Sequence, residues 1–133
     1  MTLQAQPLVA GSAQGEVLHL APLSFWGGVD PVSGRVTDPR HPQHGEALGG
    51  RIVVMERLIG SSSGSSVLLE LIAAGKAPAA IILGETDCIA TLGAIVARAM
   101  GLPTCPVALL PKAHFGELPS QIRLEETGAL RPL

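Results

Sequence analysis

Apolar and polar positions follow two different rhythms along this chain. Near the start, "GEVLHL" (Gly15 to Leu20) alternates apolar and polar residues, which predicts a half-buried strand. The stretch after it, "APLSFWGGVDPVSGRVTDPRHPQHGEALGG", is crowded with Gly, Pro and Asp and predicts turns. Within it "DPVSG" (Asp30 to Gly34) predicts a tight turn, because Pro presets φ at the second position. "RIVVM" (Arg51 to Met55) is a short β-branched apolar run, the pattern of a buried strand.

From there the period lengthens. "SSVLLELIAAGKAP" gathers Val67, Leu68, Leu71 and Ile72 on one face at spacings of three and four, a helix for which Gly75 supplies the stop. "AAIILG" (Ala79 to Gly84) predicts a second buried strand. "TDCIATLGAIVARAMGLP" predicts a second helix, capped by Thr86 or Asp87 and ended by Gly101 and Pro103. "CPVALL" (Cys105 to Leu110) and "QIRLEE" (Gln121 to Glu126) complete the set, the first buried and the second alternating. Strands joined by helical crossovers pair in parallel, so the expectation is a single α/β domain over residues 1–133. It has three layers, sheet, sheet and helix, with a partly parallel sheet flanked by helices.

Composition narrows the partners. Charged residues make up 15% and hydrophobic residues 47%, against about a quarter charged in ordinary globular chains. With no Tyr, two Phe and one Trp, the interior is built from Ala, Val, Ile and Leu. So few charges fit either a dense Ala-rich core or a surface hidden against a partner. The net charge of −2 gives no footprint for nucleic acid. No apolar run reaches the roughly 18 residues of a membrane span, and "MTLQAQPLVAG" has no basic, apolar leader pattern; the expected location is cytoplasmic. Cys88 and Cys105 form no CxxC pair and no zinc-ligand spacing, and both read as small buried hydrophobes.

The candidate chemistry lies in "ERLIGSSSGSSVLLELI" (Glu56 to Ile72). Between a buried strand and an apolar helix a connection is short and ordered, so the serines are not a flexible linker. A helix start carries unpaired N–H groups and the positive end of the dipole, where an oxyanion is stabilised. The alternative is that one serine caps the helix and the rest fill turn positions. The stretch has no Walker A Lys and no G-x-S-x-G spacing.

"LSFWGGVDPVSGRVTDPRHPQHGEALGGRIVVM", "GSSSGSSVLLELI", "APAAIIL" and "LGAIVARAMGLPTCPV" together resemble the small, swivelling-domain component of the aconitase X family, across residues 7–115. The resemblance implies a swivelling β/β/α fold and a subunit of a hydro-lyase that dehydrates a small hydroxy acid. It implies a large catalytic subunit as partner, which holds any iron or iron–sulfur centre, with no cofactor bound by this chain. Related aconitase-type enzymes carry a G-S-S-R loop whose first serine is the base; the matching residue here is Ser61. Ser63 then stands where aconitases proper have arginine. Ser62, Ser63 and Gly64 become expected substrate contacts.

Within that family, one type resembles cis-3-hydroxy-L-proline dehydratase and another mevalonate 5-phosphate dehydratase. The phosphate type tends to place Lys or Arg just before the first serine. Leu58-Ile59-Gly60 carries no charge, which favours the hydroxyproline type. A stand-alone module that binds small anions without chemistry, and a purely structural interaction domain, are the rival expectations.

Other polar residues have plainer expectations. His41 and His44 could pair on a metal, but the prolines around them favour a structural or interface loop, and the context of a phosphohistidine is missing. His19, in an alternating strand, and His114, in a surface turn, read as ordinary rather than catalytic residues. Asp30 reads as a turn acceptor, and Asp87 as a helix cap. Trp26 reads as an interface anchor or a core plug.

Overall fold

Each strand of the parallel layer is apolar on both sides because both of its sides are covered. In the computed structural model, which describes residues 2–133, the strands β1 (Leu3–Gln4), β2 (Gln6–Val9), β3 (Ala13–Leu20), β4 (Ile52–Met55), β5 (Ala80–Leu83), β6 (Val107–Leu109), β7 (Gln121–Leu124) and β8 (Ala129–Pro132) form one sheet. Its order is β1-β8-β7-β3-β4-β5-β6-β2. The pairs β3–β4, β4–β5 and β5–β6 are parallel and the remaining pairs antiparallel. β1 and β2 are separated only by Ala5, so one segment supplies both ends of the strand order.

Val53, Met55, Ile81, Leu83 and Val107 face the helices α2 (Ser62–Ala73) and α3 (Ile89–Ala99), packing with Leu68, Leu71, Ala90, Ala94 and Ala97. Their alternates Ile52, Val54, Ala80, Ile82 and Ala108 face the antiparallel strands, against Ile122, Leu124 and Leu130. This alternation produces the three layers, and it explains why β4 and β5 are buried at every position. β7, open to solvent on one side, keeps the period of two: Gln121 and Arg123 out, Ile122 and Leu124 in.

β3 joins the layers. Its first half, Ala13–Glu16, pairs antiparallel with β7, and its second half, Val17–Leu20, pairs parallel with β4. A Cβ at Gly15, in the antiparallel half, would stand 2.7 Å from the Gly50 carbonyl, so the chains cross there only because the residue lacks one.

The fold agrees with the expected architecture and differs in detail. β1, β2 and β8 were not among the expected elements; they are short, and β1 and β8 pair with each other across the whole length of the chain. α2 begins at Ser62, three residues before the expected start, so Ser62 and Ser63 belong to its first turn. Both helices stop where expected: Lys76 N–H reaches Leu71 O (2.9 Å) past Gly75 (φ +72°), and Leu102 N–H reaches Ala97 O (3.0 Å) past Gly101 (φ +77°). The one-turn α1 (Phe25–Gly28) buries Phe25 and exposes Trp26 at 67%, which rules out Trp26 as a core plug. No described helix is long and apolar enough to cross a membrane.

The cysteines divide. Cys105 is buried, as expected, and burial pushes its thiol up to about 12. Cys88 is exposed, contrary to expectation, because it precedes the first turn of α3 at the open end of the parallel sheet. A thiol reagent at pH 8 is expected to modify Cys88 alone in the folded protein and both thiols in denaturant; rapid labelling of Cys105 in the native state would contradict its burial. A second outcome follows from the helix spacing. A Cβ at Gly93 would lie 2.8 Å from the Ser65 carbonyl, so Gly93→Ala is expected to cost about 1–3 kcal/mol in urea unfolding despite its better helix propensity.

Candidate functional site

After Met55 the chain leaves the parallel sheet over its carboxyl edge. Leu58 forms a parallel bridge with Leu23, and the Ile59 N–H donates to Leu23 O at 3.0 Å, which ties the approach to α2 to the segment leaving β3. Gly60 sits at φ +111°, a left-handed conformation that lets the chain reverse, and a Cβ there would meet Ser24 Oγ at 3.2 Å. Ser61 follows in extended geometry (φ −132°, ψ −167°) as the N-cap of α2.

Ser61 has the cap position without the cap bond. Its carbonyl accepts from Gly64 N–H at 2.9 Å, while its hydroxyl makes no capping bond and is exposed. No acidic residue lies in the first turn to compete for the dipole. Ser62 and Ser63 are exposed on the same turn. The result is a free hydroxyl at the positive end of a 12-residue helix, with neighbouring hydroxyls and amides.

Gly64 is placed differently from the serines before it. It is buried, its N–H is spent on Ser61, and a Cβ there would stand 2.8 Å from Ile89 Cγ2. Ser65 is buried too, and its hydroxyl donates to the Ile89 carbonyl at 2.7 Å. Sequence inspection passed over Ser65. Its signal is a serine on the same face as Leu68 and Ile72, where only a hydroxyl with a partner is tolerated. Together these two residues seat the first turn of α2 against the start of α3. Asp87 caps α3 as expected, its Oδ2 accepting from Ala90 N–H (2.7 Å) and Thr91 N–H (3.2 Å).

Beside a smaller hollow between α2 and α3 that includes Ser62, two open hollows near α2 share Trp26, Gly27 and Thr37 in their lining. One, about 600 Å³, is lined by Asp30, Thr37, Ser63, Ser66 and Glu70. The other, about 440 Å³, is lined by Ser24, Ile59, Asp38, Arg40 and His41. Ser61 lines neither. Asp30 holds its turn as an acceptor, from Val32 N–H at 3.0 Å and Ser33 Oγ at 2.9 Å, and these bonds keep its carboxyl below the usual range.

The histidines do not come together on a metal. His41 is buried; its Nε2–H donates to Ala21 O (2.9 Å) and its Nδ1 accepts from Gln43 N–H (3.0 Å), while Gln43 Oε1 accepts from Ala21 N–H (2.9 Å). Both ring nitrogens are therefore committed to the structure of the loop, and His44 is exposed. His19 is exposed on β3, and His114 is an exposed surface residue beside Glu117. Among the described residues no group of three or more His, Cys, Asp or Glu is placed to hold a metal ion.

Comparisons with known proteins place the chain in a family and bear out its fold. The aconitase X swivel domain family matches residues 2–128. A cis-3-hydroxy-L-proline dehydratase of Pseudomonas aeruginosa is 55% identical over 84% of this chain, which spans only 19% of that protein's length. A phosphomevalonate dehydratase small subunit of Thermococcus gammatolerans is 44% identical over 77% of each chain. A crystal structure of Thermococcus kodakaraensis aconitase X in its holo-form superposes with a TM-score of 0.86 at 35% identity, covering 100% of this chain and 98% of that one. The layered fold thus sits in a known setting: the chain belongs to the aconitase X family and forms its swivel domain.

Proposed function

We propose that this chain supplies the general base, Ser61, to a dehydratase that removes water from a small hydroxy acid, most closely cis-3-hydroxy-L-proline. The observation that carries the proposal is the uncommitted Ser61 hydroxyl at the N-cap of α2. A serine is a weak base until its ionised form is stabilised, and the helix end provides a fixed positive potential for that. Ser62 and Ser63, on the same exposed turn, contact the substrate. Gly64 contributes through the close seating of that turn on α3.

The active site is completed by a large aconitase X-like component. Ser61 stands outside both hollows, with no wall around it to exclude water, and a base of this kind works in a site closed from solvent. The described residues do not fit an iron or iron–sulfur centre, since no donor cluster is formed. In this proposal that centre belongs to the large component, and no step of this chain runs through it.

The hydroxyproline substrate is supported by the 55% identity to the Pseudomonas aeruginosa enzyme and by the uncharged Leu58-Ile59-Gly60 before Ser61. A second substrate, mevalonate 5-phosphate, is favoured by one observation. The phosphomevalonate dehydratase small subunits match this chain over similar shares of both lengths, 77% and 77% for the Thermococcus gammatolerans protein.

Steady-state dehydration assays of the assembled enzyme test the proposal. The wild type is expected to turn over cis-3-hydroxy-L-proline faster than mevalonate 5-phosphate. Ser61→Ala is expected to lower kcat by about 10²–10⁴-fold with the complex intact, and this chain alone is expected to be inactive. Full activity of Ser61→Ala would remove the general-base assignment, and turnover by the isolated chain would remove the shared site.

A further inference from the structure

A hydroxy acid brings a carboxylate, and the mouth of α2 offers it hydroxyls and amides but no cation: residues 58–73 contain no Lys or Arg. The counter-charge has to come from another part of the fold. Among the described cations, Arg57 and Lys112 both lie on Glu56, at 3.6 and 3.3 Å. Arg35, Arg51, Arg98, Arg123 and Arg131 are each bonded to a carbonyl, carboxylate or amide oxygen. Lys76 follows the C-terminus of α2, a helix of 12 residues, so about 18 Å of helix separates it from Ser61.

Arg40 is different. Its side chain is 92% exposed, and its one ionic contact is Nε to Asp38 Oδ1 at 3.8 Å, which leaves both terminal amino groups of the guanidinium unengaged. Its backbone, by contrast, is fixed. Arg40 N–H donates to Asp38 Oδ1 (3.0 Å), His41 N–H donates to Asp38 O (3.1 Å), and the buried His41 ring pins the turn to Ala21. A rigid mount with a free fork suits bidentate recognition of a planar anion.

The mount stands at the rim of the hollow of about 440 Å³. The same hollow is lined by the apolar residues Leu23, Trp26 and Ile59. Ser24, also on its wall, lies 3.2 Å from where a Cβ of Gly60 would be, so the hollow borders the residue next to Ser61. Asp38 shares the rim and offsets the arginine's charge, which suits a monoanion better than a doubly charged phosphate.

We infer that Arg40 binds the carboxylate of the hydroxy-acid substrate, with Trp26 and Ile59 receiving its apolar part, and so sets the substrate's position over Ser61. The inference rests on the dehydratase proposal and deepens it: the substrate class is a compact hydroxy acid with one carboxylate and no phosphate.

The test uses the assembled enzyme with cis-3-hydroxy-L-proline and its carboxamide. Arg40→Gln is expected to raise KM for the acid by about 10–100-fold, the worth of a lost hydrogen-bonded charge, while kcat moves far less. The preference for acid over amide should collapse in Arg40→Gln and return in part in Arg40→Lys. An unchanged KM and an unchanged acid preference would overturn the assignment. Phenylglyoxal labelling mapped by mass spectrometry separates this outcome from failure of the dehydratase proposal. If Ser61→Ala stays fully active, protection of Arg40 by cis-3-hydroxy-L-proline, with Arg57 still reacting, upholds the carboxylate site. Equal labelling of Arg40 with and without the acid overturns it.

Discussion

The contact between the first turn of α2 and the start of α3 decides where the serine mouth points. Ser65 donates to the Ile89 carbonyl, and Gly64 and Gly93 give the two helices room to approach. A methyl group at either glycine would fall within 2.8 Å of Ile89 Cγ2 or the Ser65 carbonyl and push the helices apart. The helix dipole acts only over the first turn, so a shift of α2 would move its positive end, together with the serines that form it, relative to the loop segments beside it. Three small residues, Gly64, Ser65 and Gly93, therefore fix the seat of the helix mouth from its buried side.

The parallel sheet sets the rest. β3, β4 and β5 all end on one edge, and the segments leaving them (Ala21–Gly28, Glu56–Ser61 and Gly84–Cys88) gather there because parallel strands must. Leu23–Leu58 bridging and the His41–Ala21–Gln43 bonds then hold the long turn segment beside α2. Polar side chains in that segment, His41 and Asp30 among them, are spent on holding the loop. Ser61 and Arg40, whose terminal groups make no hydrogen bond, are the residues that the proposed site draws on.

Much of this was legible in the chain itself. Runs such as "IVVM" and "AIIL" announced strands covered on both faces, and Gly75 and Gly101 marked the helix ends where the left-handed residues stand. The short β1, β2 and β8 were not legible, since each is stabilised by partners far away in sequence and two to four residues carry too little periodicity. For the candidate site, the serine run marked the start of α2, but the division within it did not show. Ser61 to Ser66 are chemically alike, and only packing separates the exposed Ser61, Ser62, Ser63 and Ser66 from the buried Ser65. Cys88 was misjudged for a related reason: composition suggests burial for a cysteine, while its place ahead of α3 exposes it.

An open hydroxyl also bears on why such a base would sit on a separate body. In the lone chain Ser61 faces water, and the potential of the α2 end is screened there by a high dielectric. Enclosing the mouth removes that water and strengthens every charge interaction within it, including the one that makes serine a usable base. In the proposed enzyme, then, the hydroxyl gains basicity only when the large component and substrate cover it. Unpaired with substrate it stays an ordinary alcohol, and premature proton transfer is avoided by the geometry of the open state alone.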